Sequence, residues 1–125
     1  MAAPPKHQPY VPSRAGTFYV IQLEPHTDPG RVKLGFSTRV EKRLAENRCS
    51  APYAQIVQTF DCDVQWEKTA IDFIAHGAER VHTEVFRFRT IDEVMRRARI
   101  FFARELSRWR PSVSTFRRRF CLALM

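Results

Sequence analysis

This chain of 125 residues has few cysteines and no long apolar run, and it has no lysine after Lys68. The three cysteines, Cys49, Cys62 and Cys121, are too widely spaced for a CxxC metal motif and cannot all pair with one another, so we expect reduced thiols. No stretch approaches the roughly 18 apolar residues of a transmembrane helix, and the first ten residues lack the apolar centre of a signal peptide. The sequence therefore predicts a cytoplasmic protein with no membrane partner.

Length and composition indicate a single domain. With 44% hydrophobic and 27% charged residues, the chain can build one core that needs no disulfide or structural metal. Residues 1–15 contain four prolines and few apolar residues, which predicts a disordered leader. We expect the domain over residues 16–110 and a basic tail over residues 111–125.

The net charge of +8 is concentrated toward one end. Residues 1–86 contain ten basic and ten acidic side chains, whereas residues 87–119 contain eleven arginines and only three acids. Because the guanidinium fork matches the geometry of phosphate, this pattern favours a polyanionic partner such as single- or double-stranded DNA. A solvated helix face followed by a disordered tail is the alternative. The oligomeric state cannot be inferred from this pattern.

Alternation of apolar residues predicts an α+β domain with a small antiparallel sheet of three strands, flanked by helices. Residues 17–23 are apolar on both faces, which is typical of a central strand. Residues 31–36 alternate and form a second strand after a long loop, and residues 55–60 form a third. A short extended piece is expected at residues 84–88.

Three helices are predicted around and after these strands. A capping box of Thr38 and Glu41 begins the first, and Asp63 caps the second, which continues to about residue 77. A long C-terminal helix is predicted over residues 91–110. Its polar face carries Arg97, Arg104 and Arg108.

One carboxylate in the second predicted helix lies where an apolar side chain is expected. At about 100° per residue, Glu67 falls within the arc that runs from Phe73 through Ile74 to Ile71. An unpaired carboxylate on a buried face is costly, so such a group is paired or binds a cation. Glu67 is therefore either the partner in a buried salt bridge or a metal-binding or catalytic group.

Three further side chains are candidates for the same site. Arg43 lies at the margin of the apolar stripe of the first helix, although a surface arginine there would be ordinary. The register between the first two strands could bring Tyr19 and Lys33 to one face. Taken singly, a tyrosine in the position of Tyr19 more often serves packing, and a lysine in the position of Lys33 is more often a solvated strand residue.

Taken in chain order, the four candidate site residues and their neighbours resemble the motifs of the GIY-YIG nuclease superfamily. The tyrosine-bearing first strand is matched at Tyr19, and the second motif at Lys33-Leu34-Gly35, followed by Arg43 and by the helical Glu67. The chain is similar in particular to a phage-derived branch labelled as a DNA-binding domain. In that branch an Arg-Val…Glu-aromatic-Phe stretch follows the glutamate helix, and residues 80–86 (RVHTEVF) resemble it. The resemblance covers about residues 16–102.

The resemblance implies a metal-dependent DNA endonuclease. Glu67 would then bind Mg²⁺ or Mn²⁺, Tyr19 would activate or position the attacking water, and Arg43 would stabilise charge on the scissile phosphate. Lys33 takes the place of the family's second tyrosine. Contacts to nucleic acid are expected from Arg31, Arg39, Asn47, Arg97, Arg104 and Arg108.

Two other functions remain open at this point. One is a catalytically inactive nucleic-acid-binding module of the same fold. The other is a protein-interaction or structural domain whose basic end serves solubility or an acidic protein partner. Nicking of DNA that depends on Mg²⁺ and on Glu67 separates the first function from the second, and salt-dependent DNA binding separates the second from the third.

Overall fold

The computed structural model describes the backbone of residues 15–108 and the side chains of residues 15–105. Apart from Ala15, the predicted leader lies outside the described residues, and so does the predicted tail. The described part of the chain is an α+β domain of five strands, three helices and a 3-10 turn. In chain order the elements are β1 Ala15–Glu24, β2 Asp28–Ser37, α1 Val40–Arg48, β3 Gln55–Asp63, the 3-10 turn Val64–Trp66, α2 Glu67–Ile74, β4 Glu79–His82, β5 Val85–Arg87 and α3 Ile91–Arg108.

The sheet has five antiparallel strands in the order β3-β1-β2-β5-β4, rather than the three predicted. The two additional strands form a hairpin that joins the sheet through β5, where Phe86 pairs with Val32 of β2. Strand β4 reads ERVH, and Val81 is its only apolar side chain. Such a strand lacks the apolar alternation by which strands are recognised, so it was missed.

The loop between β1 and β2 is shorter than predicted. Glu24 already pairs with Asp28, so three residues connect the strands. The Gln22 amide donates to the Pro29 carbonyl at 2.8 Å and fixes the start of β2. At Gly30, a Cβ would overlap the Phe88 carbonyl, so glycine allows the chain after β5 to approach β2 closely.

The two predicted helix caps have different outcomes. The capping box of Thr38 and Glu41 is not formed, because α1 begins at Val40 with Arg39 as a cap residue that makes no side-chain capping bond. Asp63 does cap, since its carboxylate accepts the Gln65 N–H at 2.8 Å. It caps the 3-10 turn, however, and α2 itself starts at Glu67.

Helices cover the two faces of the sheet unequally. Helices α2 and α3 pack on one face over a core of fifteen buried residues centred on Phe18 and Phe102. On the other face, α1 packs through Leu44 on Tyr19 and Ile21 in a cluster of six buried residues. None of the helices in the described part of the chain is both long and apolar enough to cross a membrane.

Candidate active site

Tyr19 lies in the middle of β1, between Gly35 of β2 and Thr59 of β3. Its side chain is 2% exposed. The ring crosses over Gly35 so closely that a Cβ at that position would overlap the phenolic hydroxyl. Gly35 thus leaves the space that the Tyr19 hydroxyl occupies.

Lys33 lies on the same face of the sheet as Tyr19. It pairs with Ile21 on β1 and with Val85 on β5, whereas Tyr19 pairs with Gly35. Lys33 and Tyr19 are therefore diagonal neighbours rather than direct partners. The prediction that the register brings them to one face is confirmed.

Arg43 is exposed on α1, where its Nη1 lies 3.2 Å from Glu46 Oε2. The Asn47 amide donates to the Arg43 carbonyl at 2.8 Å and so bonds within the helix. Arg39 is exposed just before the helix, and its backbone N–H donates to Ser37 Oγ. All three residues lie on or beside α1, the helix that covers Tyr19.

Glu67 is the first residue of α2 and is only partly buried, so it is less enclosed than the helical pattern predicted. It lines a cleft of about 460 Å³ together with Ile71, Arg80 and Glu84. The Arg80 guanidinium donates to the Thr83 carbonyl at 2.7 Å. This bond ties the β4–β5 turn, which carries Glu84, on the side of the cleft opposite α2.

Glu84 is a site residue to which sequence analysis assigned no role. Its carbonyl accepts the N–H of Leu34 at 3.1 Å, which places the β4–β5 turn beside Gly35 and the ring of Tyr19. The sequence signal was present, since Glu84 belongs to the stretch that resembles the phage-derived branch. What was missing was the hairpin that brings this stretch back to the cleft.

The pKa shifts show that four of these groups share one electrostatic environment. Burial and then the charge of Glu84 raise the pKa of Glu67, and Arg43 opposes the increase. Burial and then Glu84 also raise the pKa of Tyr19 to about 12, again opposed by Arg43 and reinforced by Glu67. The charges of Glu84 and Arg43 thus act on both Tyr19 and Glu67, although of these four residues only Glu67 and Glu84 line the cleft.

The donor set of this cleft fits a hard divalent cation. Glu67 and Glu84 supply carboxylate oxygens, and their mutual repulsion favours a bound positive charge. Among the described residues, no group of three or more His, Cys, Asp or Glu side chains could hold a metal ion. One or two carboxylates are nevertheless sufficient for Mg²⁺, which keeps several waters and shares substrate phosphates.

The remaining predicted nucleic-acid contacts are distributed over both sides of the sheet. Arg31 pairs with Arg87 across β2 and β5, and its buried Nε has no hydrogen-bond partner among the described residues. Arg97 donates to the carbonyls of Ile74 and His76 and to Glu93, so its guanidinium has internal partners. Arg104 lies over the Phe73 ring at 5.5 Å. The side chain of Arg108 lies outside the described residues.

Comparison with known proteins gives this site no named counterpart. No family model matches the chain, and no curated protein or solved structure matches it either. The resemblance to the GIY-YIG superfamily therefore stays a prediction, and the chemistry of the cleft has to support the function.

Proposed function

We propose that the protein is a metal-dependent DNA endonuclease of the GIY-YIG type. The observation that carries the proposal is that Glu67 and Glu84 line one cleft, while the charges of Glu84 and Arg43 act on both Glu67 and the phenol of Tyr19. Hydrolysis of a phosphodiester needs a metal ion, a positioned water and a cation near the developing charge. These side chains supply the protein's share of all three.

In this proposal Glu67 and Glu84 hold Mg²⁺ or Mn²⁺. When bound, the metal ion acts as a Lewis acid on the phosphate and lowers the pKa of a coordinated water. It also offsets the repulsion between the two carboxylates, which raises the pKa of Glu67 in the protein alone.

Tyr19 positions the attacking water in this proposal. Because its pKa is raised to about 12, the side chain is a neutral phenol near pH 7, able to donate and to accept a hydrogen bond. Its role as a proton acceptor requires that the charges of Glu84 and Glu67 be offset, since both raise its pKa.

Arg43 and Lys33 supply positive charge beside the cleft. Arg43 reaches the shared environment from α1, and Lys33 lies on the same sheet face as Tyr19. Arg31, two residues before Lys33 on the same face, adds a further positive charge. A DNA backbone crossing this face would meet all three.

The second candidate function is a nucleic-acid-binding module without catalysis. The observation that favours it is the enclosure of Tyr19, whose side chain is only 2% exposed. A phenol that is so enclosed can be explained by packing alone, without a role in positioning a water. DNA binding by the neighbouring cations does not require the phenol.

The experiment is a nicking assay on supercoiled plasmid and on single-stranded DNA with Mg²⁺ or Mn²⁺, and with EDTA. We expect EDTA and Glu67→Ala to abolish nicking, and Tyr19→Phe to slow it by about 10²–10⁴-fold, the usual contribution of a positioned proton-transfer group. Thr69→Ala is the control for damage to α2, because Thr69 is an exposed residue of the same helix and does not line the cleft.

Each result decides between the two functions. Nicking that persists in Glu67→Ala would overturn the assignment of this cleft as the active site. DNA binding without nicking in the unchanged protein would establish the inactive module instead. Equal loss of activity in Glu67→Ala and Thr69→Ala would indicate damage to α2 rather than loss of a ligand.

A further inference from the structure

A basic groove lies at the opposite end of the β4–β5 hairpin from Glu84. It is bounded by the start of β4, the end of β5 and the first turns of α3, and its volume is about 670 Å³. Arg89, Arg96 and Arg99 line it, and all three are exposed. Sequence analysis did not single out any of the three.

The other arginines near this groove are used by the fold. Arg87 makes ion pairs with Asp28 at 2.8 Å and with Glu79 at 3.0 Å. Arg97 pairs with Glu93 at 2.8 Å and also donates to the end of α2. Their positive charges are therefore already compensated.

Arg89, Arg96 and Arg99 differ from these two. Their guanidinium groups make no hydrogen bond or ion pair with any residue that the structure describes. The acids of the groove do little to compensate them, because Glu79 and Glu93 are paired with Arg87 and Arg97. Asp92 is the remaining acid in the lining, so the groove has an excess of positive charge.

The spacing of these arginines suits an extended polyanion. Arg96 and Arg99 lie one turn apart on one face of α3, and Arg89 precedes the helix. At 1.5 Å per residue the tract is about 12–15 Å long, which corresponds to about four phosphates along one DNA strand. An acidic peptide would offer carboxylates on flexible side chains, whereas a nucleic-acid backbone offers a regular row of phosphates that guanidinium forks match.

We propose that Arg89, Arg96 and Arg99 form a second nucleic-acid-binding site, which holds the phosphate backbone outside the catalytic cleft. Binding there is independent of base sequence, because no base-reading group is required for it. The site shares its partner with the proposed endonuclease but does not depend on Glu67, on a metal ion or on cleavage. Binding at this site can therefore be tested under conditions in which no cleavage occurs.

The test measures binding of a fluorescent 20-base-pair duplex by anisotropy in EDTA, over a series of NaCl concentrations. For the triple variant Arg89→Gln/Arg96→Gln/Arg99→Gln we expect an affinity about 10–100-fold lower. The slope of log affinity against log salt should fall by about 2–3, or about one per lost phosphate contact. Thermal unfolding of the triple variant verifies that it is folded.

The control for net charge compares two single variants. Lys42 is an exposed cation on α1, on the other side of the sheet from α3, so Lys42→Gln removes one charge away from the groove. We expect Arg96→Gln to reduce affinity about five-fold and Lys42→Gln to reduce it less than two-fold.

Three results would overturn the proposal. They are unchanged affinity and salt slope in the triple variant, equal losses in Arg96→Gln and Lys42→Gln, and binding to polyglutamate but to no nucleic acid at low salt. The last would assign the groove to an acidic protein. A protein that binds DNA through this groove without nicking any substrate would support the site while rejecting the endonuclease.

Discussion

The two faces of the sheet differ in what they are built from. The face under α2 and α3 is filled by large apolar side chains, with Phe18, Phe60 and Phe102 in mutual contact. The face under α1 has a smaller apolar cluster, and the same strands place Lys33 and Arg31 beside it. The face under α2 and α3 therefore provides most of the stability of the fold. The face under α1 can hold polar groups that contribute little to that stability.

The largest effect is expected from a truncation in the larger core. Phe102 is 1% exposed and its ring stacks on Phe60 with centroids 4.5 Å apart. We expect Phe102→Ala to lower the free energy of unfolding by about 3–5 kcal/mol, because it removes a buried aromatic ring and leaves a cavity. Urea denaturation followed by circular dichroism measures this. A smaller loss than that of Leu44→Ala in the α1 cluster would reverse the comparison between the faces.

An intermediate effect is expected where the phenol crosses the glycine. Gly35→Ala places a methyl group against the Tyr19 hydroxyl, so we expect a loss of about 1–3 kcal/mol of unfolding free energy together with a loss of nicking. Combining the change with Tyr19→Ala, which removes the ring that the new methyl group would meet, tests the cause. If the alanine at position 35 is as costly without the Tyr19 ring as with it, overlap with Tyr19 is not what Gly35 avoids.

The smallest expected effect is a gain, rather than a loss, in the free energy of unfolding. The pKa of Glu67 is raised above its ordinary value of 4.5, so the folded protein holds this proton more tightly than the unfolded chain. Protonation of Glu67 therefore stabilises the fold fully below pH 4.5, and this contribution is lost as the pH rises through the raised pKa. Above it, Glu67→Gln should stabilise the metal-free protein.

Because Glu67 is only partly buried and solvent screens its charge, we expect the gain from Glu67→Gln to be below about 1 kcal/mol at pH 7 in EDTA and to disappear at pH 4. Thr69→Ala is the control on the same helix: because it removes no titratable group, its effect on stability should be the same at pH 7 and at pH 4. Mn²⁺ should stabilise the unchanged protein more than the Glu67→Gln variant. A destabilised variant at pH 7 would show that the Glu67 charge is well accommodated without a cation.

The sequence predicted those parts of the fold that local pattern specifies. Strand β1 was recognised because it is apolar on both faces, and α3 because its apolar stripe recurs at helical spacing. Strand β4 was missed because its stability comes from pairing with β5 rather than from a buried face of its own. The number of strands depended on that tertiary contact.

Sequence analysis could identify a residue of the candidate site only where its type is unusual for its position. Glu67 is conspicuous as an acid within an apolar arc, and the structure places it in a cleft with Glu84, where its charge raises the pKa of Tyr19 after the larger effects of burial and of Glu84. Glu84 could not be placed, because its position depends on the turn that bonds Leu34. The arginines of α3 were assigned by charge alone, and charge does not reveal that Arg97 has partners in α2 while Arg96 has none among the described residues.

Helix α2 is held at both of its ends by side chains from other elements. It has only eight residues, too few to be stable in isolation, and its two buried side chains are Ala70 and Ile74. Asp63 fixes the turn that leads into it, and Arg97 fastens the carbonyls at its exit to α3. Glu67 thus lies at the start of a segment that is fixed at both ends, so in the proposed endonuclease little of the binding energy of DNA would be needed to order this acid.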